Sequence, residues 1–270
     1  MAKLLLSIFC ISAITLSVSA QEADNAMLRY AMNFLGTPYV AHTLEVNDYE
    51  QLVINLQQVD CTTFVEYVLA MTLSPAKDGQ PDSLAFAHNL QKIRYRNGKI
   101  EGYPSRLHYI ADWVNNGVKH GFLEDVAASF SPDTLTLSLS FMSSHPESYR
   151  QLAHSPENIA KIKEIESSLS GQVFHYIPRN KLPDNGFSWI KSGDIIAITT
   201  NIPGLDVAHL GFAYYEKGIL KLLHASSTEK KVIISKGSLA QMLKNNKRFT
   251  GVRVLRINKI SIGILHKISK

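Results

Sequence analysis

One segment of the chain predicts a helix that begins at a cysteine. It spans residues 59–71 and reads Val-Asp-Cys-Thr-Thr-Phe-Val-Glu-Tyr-Val-Leu-Ala-Met. Its apolar side chains recur every three or four residues, the spacing that places them on one face of a helix. Asp60 is a favourable N-cap residue, so Cys61 takes the first helical position. A thiol there meets unpaired backbone N–H groups and the positive end of the helix dipole, which favour the nucleophilic thiolate.

The N-terminal residues 1–20 have the pattern of a secretory signal peptide. Lys3 gives a positive start, an apolar run follows, and Val18-Ser19-Ala20 is a small-residue cleavage signature. The run is too short and wrongly flanked for a stable membrane anchor, and no later stretch reaches the length of a membrane span. We expect residues 21–270 to form an exported mature chain. The periplasm is the expected location, with the cell surface or the medium as alternatives.

Cysteine usage makes Cys61 a candidate reactive group. The sequence contains 2 cysteines, and Cys10 lies within the predicted signal peptide. Cys61 would then be the remaining cysteine in an oxidising compartment, where an unpaired thiol is a liability. The alternative is a buried cysteine that acts only as a small apolar side chain.

Composition favours a globular protein without a nucleic-acid site. The chain has 270 residues, 45% hydrophobic and 19% charged, with a net charge of +5. The basic residues are scattered, apart from a cluster at Lys244, Lys247 and Arg248. Such a balance indicates a solvated surface, and it is compatible with mild attraction to an anionic cell-wall polymer. The oligomeric state is not defined by the sequence.

Periodicity divides the chain into a helical part and a strand-rich part. The predicted helices cover 22–35, 83–94 and 107–115, and a further one starts at 155–157, with a strand at 134–141. The predicted strands of the second part are 173–177, 194–199, 207–215, 219–225, 231–234 and 251–257, with a helix at 239–243. This order predicts an α+β fold in which the later strands form an antiparallel meander.

Two histidines lie on strands that a short connection at 216–218 should join into a hairpin. A loop of two or four residues would place His209 and His224 on one face, opposite or diagonal, whereas a regular three-residue loop would separate them. On one face, His209 could act as a base that forms a thiolate–imidazolium pair with Cys61, and His224 could fix its tautomer. Gly211 would leave open space for a substrate groove. The alternative is that both are satisfied core histidines.

Polar and aromatic residues near these elements are candidate substrate contacts. Arg106 could clamp a carboxylate in bidentate fashion, or could instead pair with Asp112. Tyr39 could bring its hydroxyl near the thiol, or pack at a turn. The candidate substrate contacts are Tyr39, Asp60, Ser105, Arg106 and Tyr109.

Five short motifs in order resemble the NlpC-type papain-like cell-wall hydrolases. They are Gly-Thr-Pro-Tyr at 36–39, Asp-Cys-Thr-Thr-Phe-Val at 60–65, Gly-Asp-Ile-Ile at 193–196, His-Leu-Gly-Phe at 209–212 and His-Ala-Ser at 224–226. The resemblance implies Cys61 as nucleophile, His209 as base, His224 as orienting residue and Tyr39 beside the thiol. It also implies a papain-like single domain, with a cysteine helix packed on an antiparallel sheet and a mainly helical insertion at 75–170.

Departures from that pattern point to one branch. The usual Asp-Cys-Ser-Gly is Asp-Cys-Thr-Thr here, and the segment before Gly193 is much longer than in a minimal member. With the stretch 105–113, this resembles the N-acetylmuramoyl-L-alanine amidase-like branch, which implies cleavage between muramic acid and L-alanine in peptidoglycan or its fragments. No cofactor is implied.

Three alternatives remain open. A D-glutamyl–diamino-acid endopeptidase of the same superfamily would use the same three residues, and a non-catalytic cell-wall binding protein would use none of them. A zinc amidase is disfavoured, because the sequence has neither His-Glu-x-x-His nor paired-cysteine spacing.

Overall fold

The computed structural model describes residues 26–74 and 80–258. The predicted signal peptide at 1–20, including Cys10, lies outside the described residues, as does the start of the helix predicted at 22–35. Helix α1 covers residues 26–33 within the described part. It is followed by Gly36, whose φ of 86° suits glycine at the end of a helix.

The remaining elements alternate between helices in the first half and strands in the second. The other helices are α2 (Cys61–Thr72), α3 (Ser83–Arg94), α4 (Ile110–Lys119), α5 (Ala127–Phe130), α6 (Phe141–Ser144), α7 (Pro156–Leu169) and α8 (Leu239–Asn245). The strands are β1 (Leu123–Asp125), β2 (Thr134–Thr136), β3 (Val173–His175), β4 (Ile177–Pro178), β5 (Ile195–Thr200), β6 (Val207–Glu216), β7 (Ile219–Ser226), β8 (Lys231–Ile234) and β9 (Phe249–Ile257).

The main sheet is antiparallel and has the strand order β1-β9-β5-β6-β7-β8, with β4 also paired to β9. Strands β5 to β8 form the predicted meander. Strand β9 departs from it, because the chain returns after α8 to pair with the free edge of β5. All six residues of β5 are buried, a pattern that suits a central strand covered on both faces. The fold is α+β, as predicted.

Helix α2 packs on the sheet and begins at Cys61, as predicted. Asp60 and Thr63 form a reciprocal capping box: the Thr63 N–H donates to the Asp60 carboxylate at 2.8 Å, and the Asp60 N–H donates to the Thr63 hydroxyl at 2.9 Å. Phe64 packs edge-on against Phe34 of the α1 region and Phe212 of β6, at centroid distances of 5.6 and 5.3 Å. A buried side chain of this size contributes about 1.5–3 kcal/mol, so the cysteine helix is firmly held.

The middle region is more closely integrated with the core than an inserted module would be. Helices α3 and α4 share the apolar core of α2, and β1 extends the main sheet beside β9. Helix α3 has the predicted bounds, whereas α4 starts three residues later than predicted. The reason is that Leu107 donates its N–H to the Arg94 carbonyl at 2.9 Å and Arg106 bridges to Tyr95, which keeps this stretch extended.

The strand predicted over 134–141 is mostly wrong. The regular ladder is limited to β2, Thr134–Thr136, which pairs with the equally short β3, and beyond it Leu139 makes an isolated bridge to Gly204. The alternation of leucines still has a structural role. Leu137 and Leu139 are buried in a separate apolar cluster with residues of α6 and α7, and the chain turns into α6 at Phe141.

The sheet is therefore covered on both faces. Helices α1 to α4 pack on one face, and α8 with the segment 182–190 covers the other. Within the described residues, no helix combines the length and apolar character needed to cross a membrane.

Candidate active site

The hairpin of β6 and β7 has the two-residue loop that brings the two histidines to one face. The ladder runs from Glu216 opposite Ile219 to Phe212 opposite Leu223. Lys217 and Gly218 form the loop with φ values of 50° and 80°, the left-handed conformation that tight hairpin turns require. The structure therefore has one of the two loop lengths that were predicted to place the histidines on one face.

The histidines meet just beyond the last paired residues of the hairpin. Past the Phe212–Leu223 pair, β6 continues beside β5 and β7 continues beside β8, where His224 pairs with Ile233. There, Nε2 of His209 lies 2.7 Å from Nδ1 of His224, and the rings are perpendicular at 89°. One of these nitrogens donates and the other accepts, so each ring fixes the tautomer of the other.

Gly211 occupies the point between the histidines, but the predicted open space beside it is absent. A Cβ atom at this position would lie 2.8 Å from the Leu223 carbonyl oxygen and 2.9 Å from Cβ of His224. The missing side chain lets β7 and His224 approach β6 closely. The prediction of a groove over Gly211 is therefore wrong, since His224 itself fills that space.

Cys61 lies beside β6, near this end of the hairpin. The backbone N–H of Leu210, the residue after His209, is close enough to the sulfur to lower the pKa of the thiol. The Thr62 hydroxyl is 4.0 Å from the sulfur, and the thiol is partly accessible. The N-terminus of α2 thus meets β6 beside Leu210, and His209 contacts His224. The pairing of Cys61 with His209 stays a prediction.

Burial shifts the pKa values of this group toward neutral forms. Loss of solvent, and then the negative charge of Asp60, raise the pKa of the Cys61 thiol to about 11. Burial lowers the pKa of His209 to about 3, with a further contribution from His224, and lowers the pKa of His224 to about 4. The expectation that the helix start would favour a thiolate is corrected: desolvation and the N-cap carboxylate outweigh the dipole. Burial thus favours the neutral thiol and the neutral imidazoles over an ion pair.

Tyr39 lies next to the segment that leads into Cys61. It bridges to Val59, and the neighbouring Val40 N–H donates to the Val59 carbonyl at 3.0 Å. Burial raises the pKa of the Tyr39 phenol, and the charges of Cys61 and Asp60 raise it further. The half-buried hydroxyl is therefore within electrostatic range of the thiol, and its contact with a substrate stays a prediction.

Arg106 already binds carboxylates of its own chain. Its Nη2 lies 2.7 Å from Oε1 of Glu45 and 3.2 Å from Oε2 of Glu50, and its guanidinium is 4.8 Å from the ring centroid of Tyr103. The alternative pairing of Arg106 with Asp112 is wrong, because the partner of Asp112 is Arg96, at 2.6 Å. Arg106 is buried, so its clamp acts on the 41–58 loop, the irregular segment between Tyr39 and Cys61.

Further side chains of the middle region hold the 41–58 loop. Arg94 donates from Nη1 to the Val53 carbonyl at 2.6 Å. The Tyr95 hydroxyl lies 2.7 Å from Oε1 of Glu50 and 2.8 Å from the Gln51 carbonyl oxygen. The chain immediately before the cysteine helix is thus fixed by residues that follow it in sequence.

The other two candidate substrate contacts have partners within the fold. Ser105 donates its hydroxyl to the Gly102 carbonyl at 2.6 Å, which closes a local turn. Tyr109 is buried, and its hydroxyl donates to Oε1 of Glu166 at 2.6 Å and accepts from the Met142 N–H at 3.0 Å. In this conformation Tyr109 is a core residue.

Sequence reasoning missed Asp206, a buried carboxylate directly before β6. It accepts hydrogen bonds from Val207 and from Ala111 at the start of α4. An acidic residue ahead of an apolar strand is a weak signal, and nothing in the sequence indicates a partner so distant in the chain. Among the described residues, no group of three or more His, Cys, Asp or Glu is arranged to hold a metal ion.

A family model described as AmiA-like, N-acetylmuramoyl-L-alanine amidase-like, matches residues 29–252. The chain belongs to this family. The matched range of this amidase-like chain contains Tyr39, Cys61, His209 and His224.

Solved structures of similar proteins support this assignment. An N-acetylmuramoyl-L-alanine amidase from Bacteroides uniformis is 64% identical, with 86% of this chain and 98% of that chain covered and a TM-score of 0.85. A putative xylanase from Bacteroides fragilis is 58% identical over 85% of this chain and 99% of that chain, with a TM-score of 0.83.

A more distant protein of Legionella pneumophila, at 22% identity, shares the fold with a TM-score of 0.66 over 94% of this chain and 96% of that chain. No curated protein matches this amidase-like chain.

Proposed function

We propose that this protein is an exported cysteine amidase of the NlpC-type papain-like superfamily that hydrolyses the amide between N-acetylmuramic acid and L-alanine in peptidoglycan fragments. One observation carries the proposal. The backbone N–H of Leu210, directly beside His209, is close enough to the Cys61 sulfur to favour its ionisation, and Nε2 of His209 lies 2.7 Å from Nδ1 of His224. A thiol, a base and a group that orients the base are the parts that a cysteine hydrolase needs.

The neutral resting state requires proton transfer during attack. With Nε2 of His209 donating to Nδ1 of His224, the Nδ1 atom of His209 is unprotonated and can act as the base. His209 takes the Cys61 proton as sulfur attacks the lactyl carbonyl, and then gives it to the departing L-alanine nitrogen. Water, activated by His209, hydrolyses the thioester and regenerates the thiol. No preformed thiolate–imidazolium pair is needed.

The start of α2 supplies a candidate for stabilising the tetrahedral intermediate. The backbone N–H of Cys61 is at the first helical position, where N–H groups lack partners within the helix. A donor in this position, together with the positive end of the helix dipole, would favour negative charge on the carbonyl oxygen.

Membership of the N-acetylmuramoyl-L-alanine amidase-like family, and the similarity to N-acetylmuramoyl-L-alanine amidases of Bacteroides uniformis, favour the muramoyl–alanine bond over the alternatives. A D-glutamyl–diamino-acid endopeptidase would use the same three residues with a different groove. A xylanase, as the similar Bacteroides fragilis protein is named, would need another chemistry, because most glycoside hydrolases use a pair of carboxylates flanking the bond. The groups that converge here are a thiol and two imidazoles.

Mass spectrometry of purified muropeptides tests the proposal. The protein without residues 1–20 should release intact L-alanyl stem peptide and free sugar, and Cys61→Ala should release neither. Fragments ending at D-glutamate would replace the amidase by the endopeptidase. Absence of any cleavage would favour a wall-binding protein, and sugar release from xylan that persists in Cys61→Ala would contradict thiol catalysis.

Export is a separate part of the proposal. It is supported by the signal-peptide pattern of residues 1–20 and by a wall polymer as substrate. Expression of the full chain in a Gram-negative host, followed by fractionation and N-terminal sequencing, should yield periplasmic protein that begins at Gln21. Recovery of the full chain from the cytoplasm would contradict it.

A further inference from the structure

Asp206 joins two elements that the sequence separates widely. The residue is 4% exposed and directly precedes β6. Its Oδ1 accepts the Val207 N–H at 2.8 Å, and its Oδ2 accepts the Ala111 N–H at 2.6 Å. Both carboxylate oxygens are therefore used, one by the strand that carries His209 and one by α4.

The contact with α4 replaces a missing helix cap. Tyr109 stands at the N-cap position and makes no side-chain capping bond. The Asp206 carboxylate supplies that acceptor from a distant part of the chain, at the positive end of the α4 dipole. The start of β6 is thus bound to a helix that packs in the core around α2.

The strand is irregular between Asp206 and His209. Ile198 pairs with His209, but the next residue, Thr199, pairs with Val207, so Ala208 is an extra residue in β6. Such a bulge redirects the side chains that follow it. The direction of His209, and the position of the Leu210 N–H against the Cys61 sulfur, depend on how this start of the strand is held.

We infer that Asp206 is a positioning residue, which anchors the bulged start of β6 to α4 and thereby presents His209 to Cys61. Because His209 is the base of the proposed amidase, the effect on hydrolysis depends on the proposed function. The effect on the thiol itself does not, since Leu210 acts on the pKa of Cys61 without substrate.

The proposed role of Asp206 predicts a dependence on pH, because its carboxylate can be protonated. Burial raises the pKa of its carboxyl to about 6, against the lowering effects of its backbone donors and of Arg253, whose Nη2 pairs with Asp125 at 2.8 Å. Protonation below that pH would remove an acceptor from one N–H. Burial lowers the pKa values of His209 and His224 to about 3 and 4, so their titration falls at more acidic pH.

The test is the rate of Cys61 alkylation by iodoacetamide as a function of pH, with muropeptide kcat and KM as a second readout. Asp206→Asn keeps the shape but can accept only one of the two N–H groups. It should slow alkylation near neutral pH by about fivefold, and lower kcat by about tenfold or more with KM unchanged, because His209 is displaced. The wild-type alkylation rate, divided by the thiolate fraction expected at each pH, should show a further decrease centred near pH 6, and Asp206→Asn should lack that step.

Asn116→Ala is the matched control. Asn116 accepts the Asn97 N–H at 3.0 Å and donates to the Lys92 carbonyl at 3.2 Å, so the variant loses two hydrogen bonds near the other end of α4. It should leave the alkylation profile unchanged. Equal alkylation rates in wild type and Asp206→Asn, or a wild-type profile without a step near pH 6, would overturn the role of Asp206. If wild type cleaves no muropeptide, the proposed function fails while the alkylation profile still decides this inference.

Discussion

A Cβ atom on residue 211 would lie 2.9 Å from Cβ of His224 and 2.8 Å from the Leu223 carbonyl oxygen. The absent side chain is what allows β7 to bring His224 onto the ring of His209. Gly211→Ala should therefore push β7 outward, separate the histidines and lower amidase activity at least about tenfold, with a stability cost of about 1–3 kcal/mol for the added methyl group. Muropeptide kinetics and urea unfolding measure both effects.

Gly237→Ala is the control for this prediction. Its added Cβ would meet mainly the flexible side-chain amide of Gln241, away from the histidines. Full activity in Gly211→Ala would mean that the close approach of the strands has no role in catalysis.

His209 and His224 should differ in how strongly their removal affects catalysis. As base, His209 acts on the reacting proton, so His209→Ala should lower kcat by about 10²–10⁴-fold. His224 acts through the ring of His209, and His224→Ala should retain measurable activity above Cys61→Ala. A loss in His224→Ala as complete as in Cys61→Ala would show that His224 does more than orient. Single-turnover assays on one muropeptide compare the three variants.

Asp60 holds the cysteine helix and also opposes ionisation of its thiol. Its negative charge raises the pKa of Cys61, and asparagine is an equally good N-cap residue. Asp60→Asn should thus keep α2 folded and lower the pKa of the thiol, which moves the pH midpoint of alkylation downward. Asp82→Asn is the matched control, because Asp82 caps α3 by accepting the Ala85 N–H at 2.7 Å. An unchanged midpoint in Asp60→Asn would contradict the electrostatic role.

A buried ion pair ties α2 to α3. Nε of Arg94 lies 2.7 Å from Oε2 of Glu66, and both side chains are almost fully buried. Arg94→Leu would leave the buried Glu66 charge without its partner and should lower the free energy of unfolding by about 3–5 kcal/mol. The double variant Arg94→Leu/Glu66→Leu should recover part of this loss.

The partly exposed pair of Arg96 and Asp112 provides the comparison for that prediction, and Arg96→Leu should cost about 1 kcal/mol or less. Guanidinium unfolding of the variants gives the values. Equal losses in Arg94→Leu and Arg96→Leu would contradict the importance of burial.

Local sequence signals predicted the parts of the site that depend on neighbours in the chain. The capping residue Asp60 and the apolar period placed the start of α2 at Cys61. The period of two allowed His209 and His224 to share a face, but the length of the turn around 216–218 was left open. These signals depend only on residues that are close in the chain, so contacts between distant segments do not change the local structure that they predict. The thiol's ionisation was predicted wrongly, because burial by distant elements is invisible in the local pattern.

Contacts between distant segments could not be predicted. Nothing near Arg106 identifies Glu45 and Glu50 as its partners, since the 41–58 loop has no regular period. The return of β9 to the edge of β5 depends on which strand remains unpaired once the whole sheet is assembled. Asp206 was missed for the same reason, because Ala111 reaches it only in the folded chain.

The Tyr95 hydroxyl approaches two oxygens, Oε1 of Glu50 and the Gln51 carbonyl, but it has one hydrogen. That hydrogen is therefore shared or alternates between the Glu50 carboxylate and the carbonyl. Burial raises the pKa of Glu50, whereas Arg106 and the Tyr95 hydrogen bond lower it. Because the net shift in the folded chain is upward, the contribution of Glu50 to stability is present at acidic pH and declines as rising pH ionises it. The segment before Cys61 is thus held by a loop whose stability depends on pH.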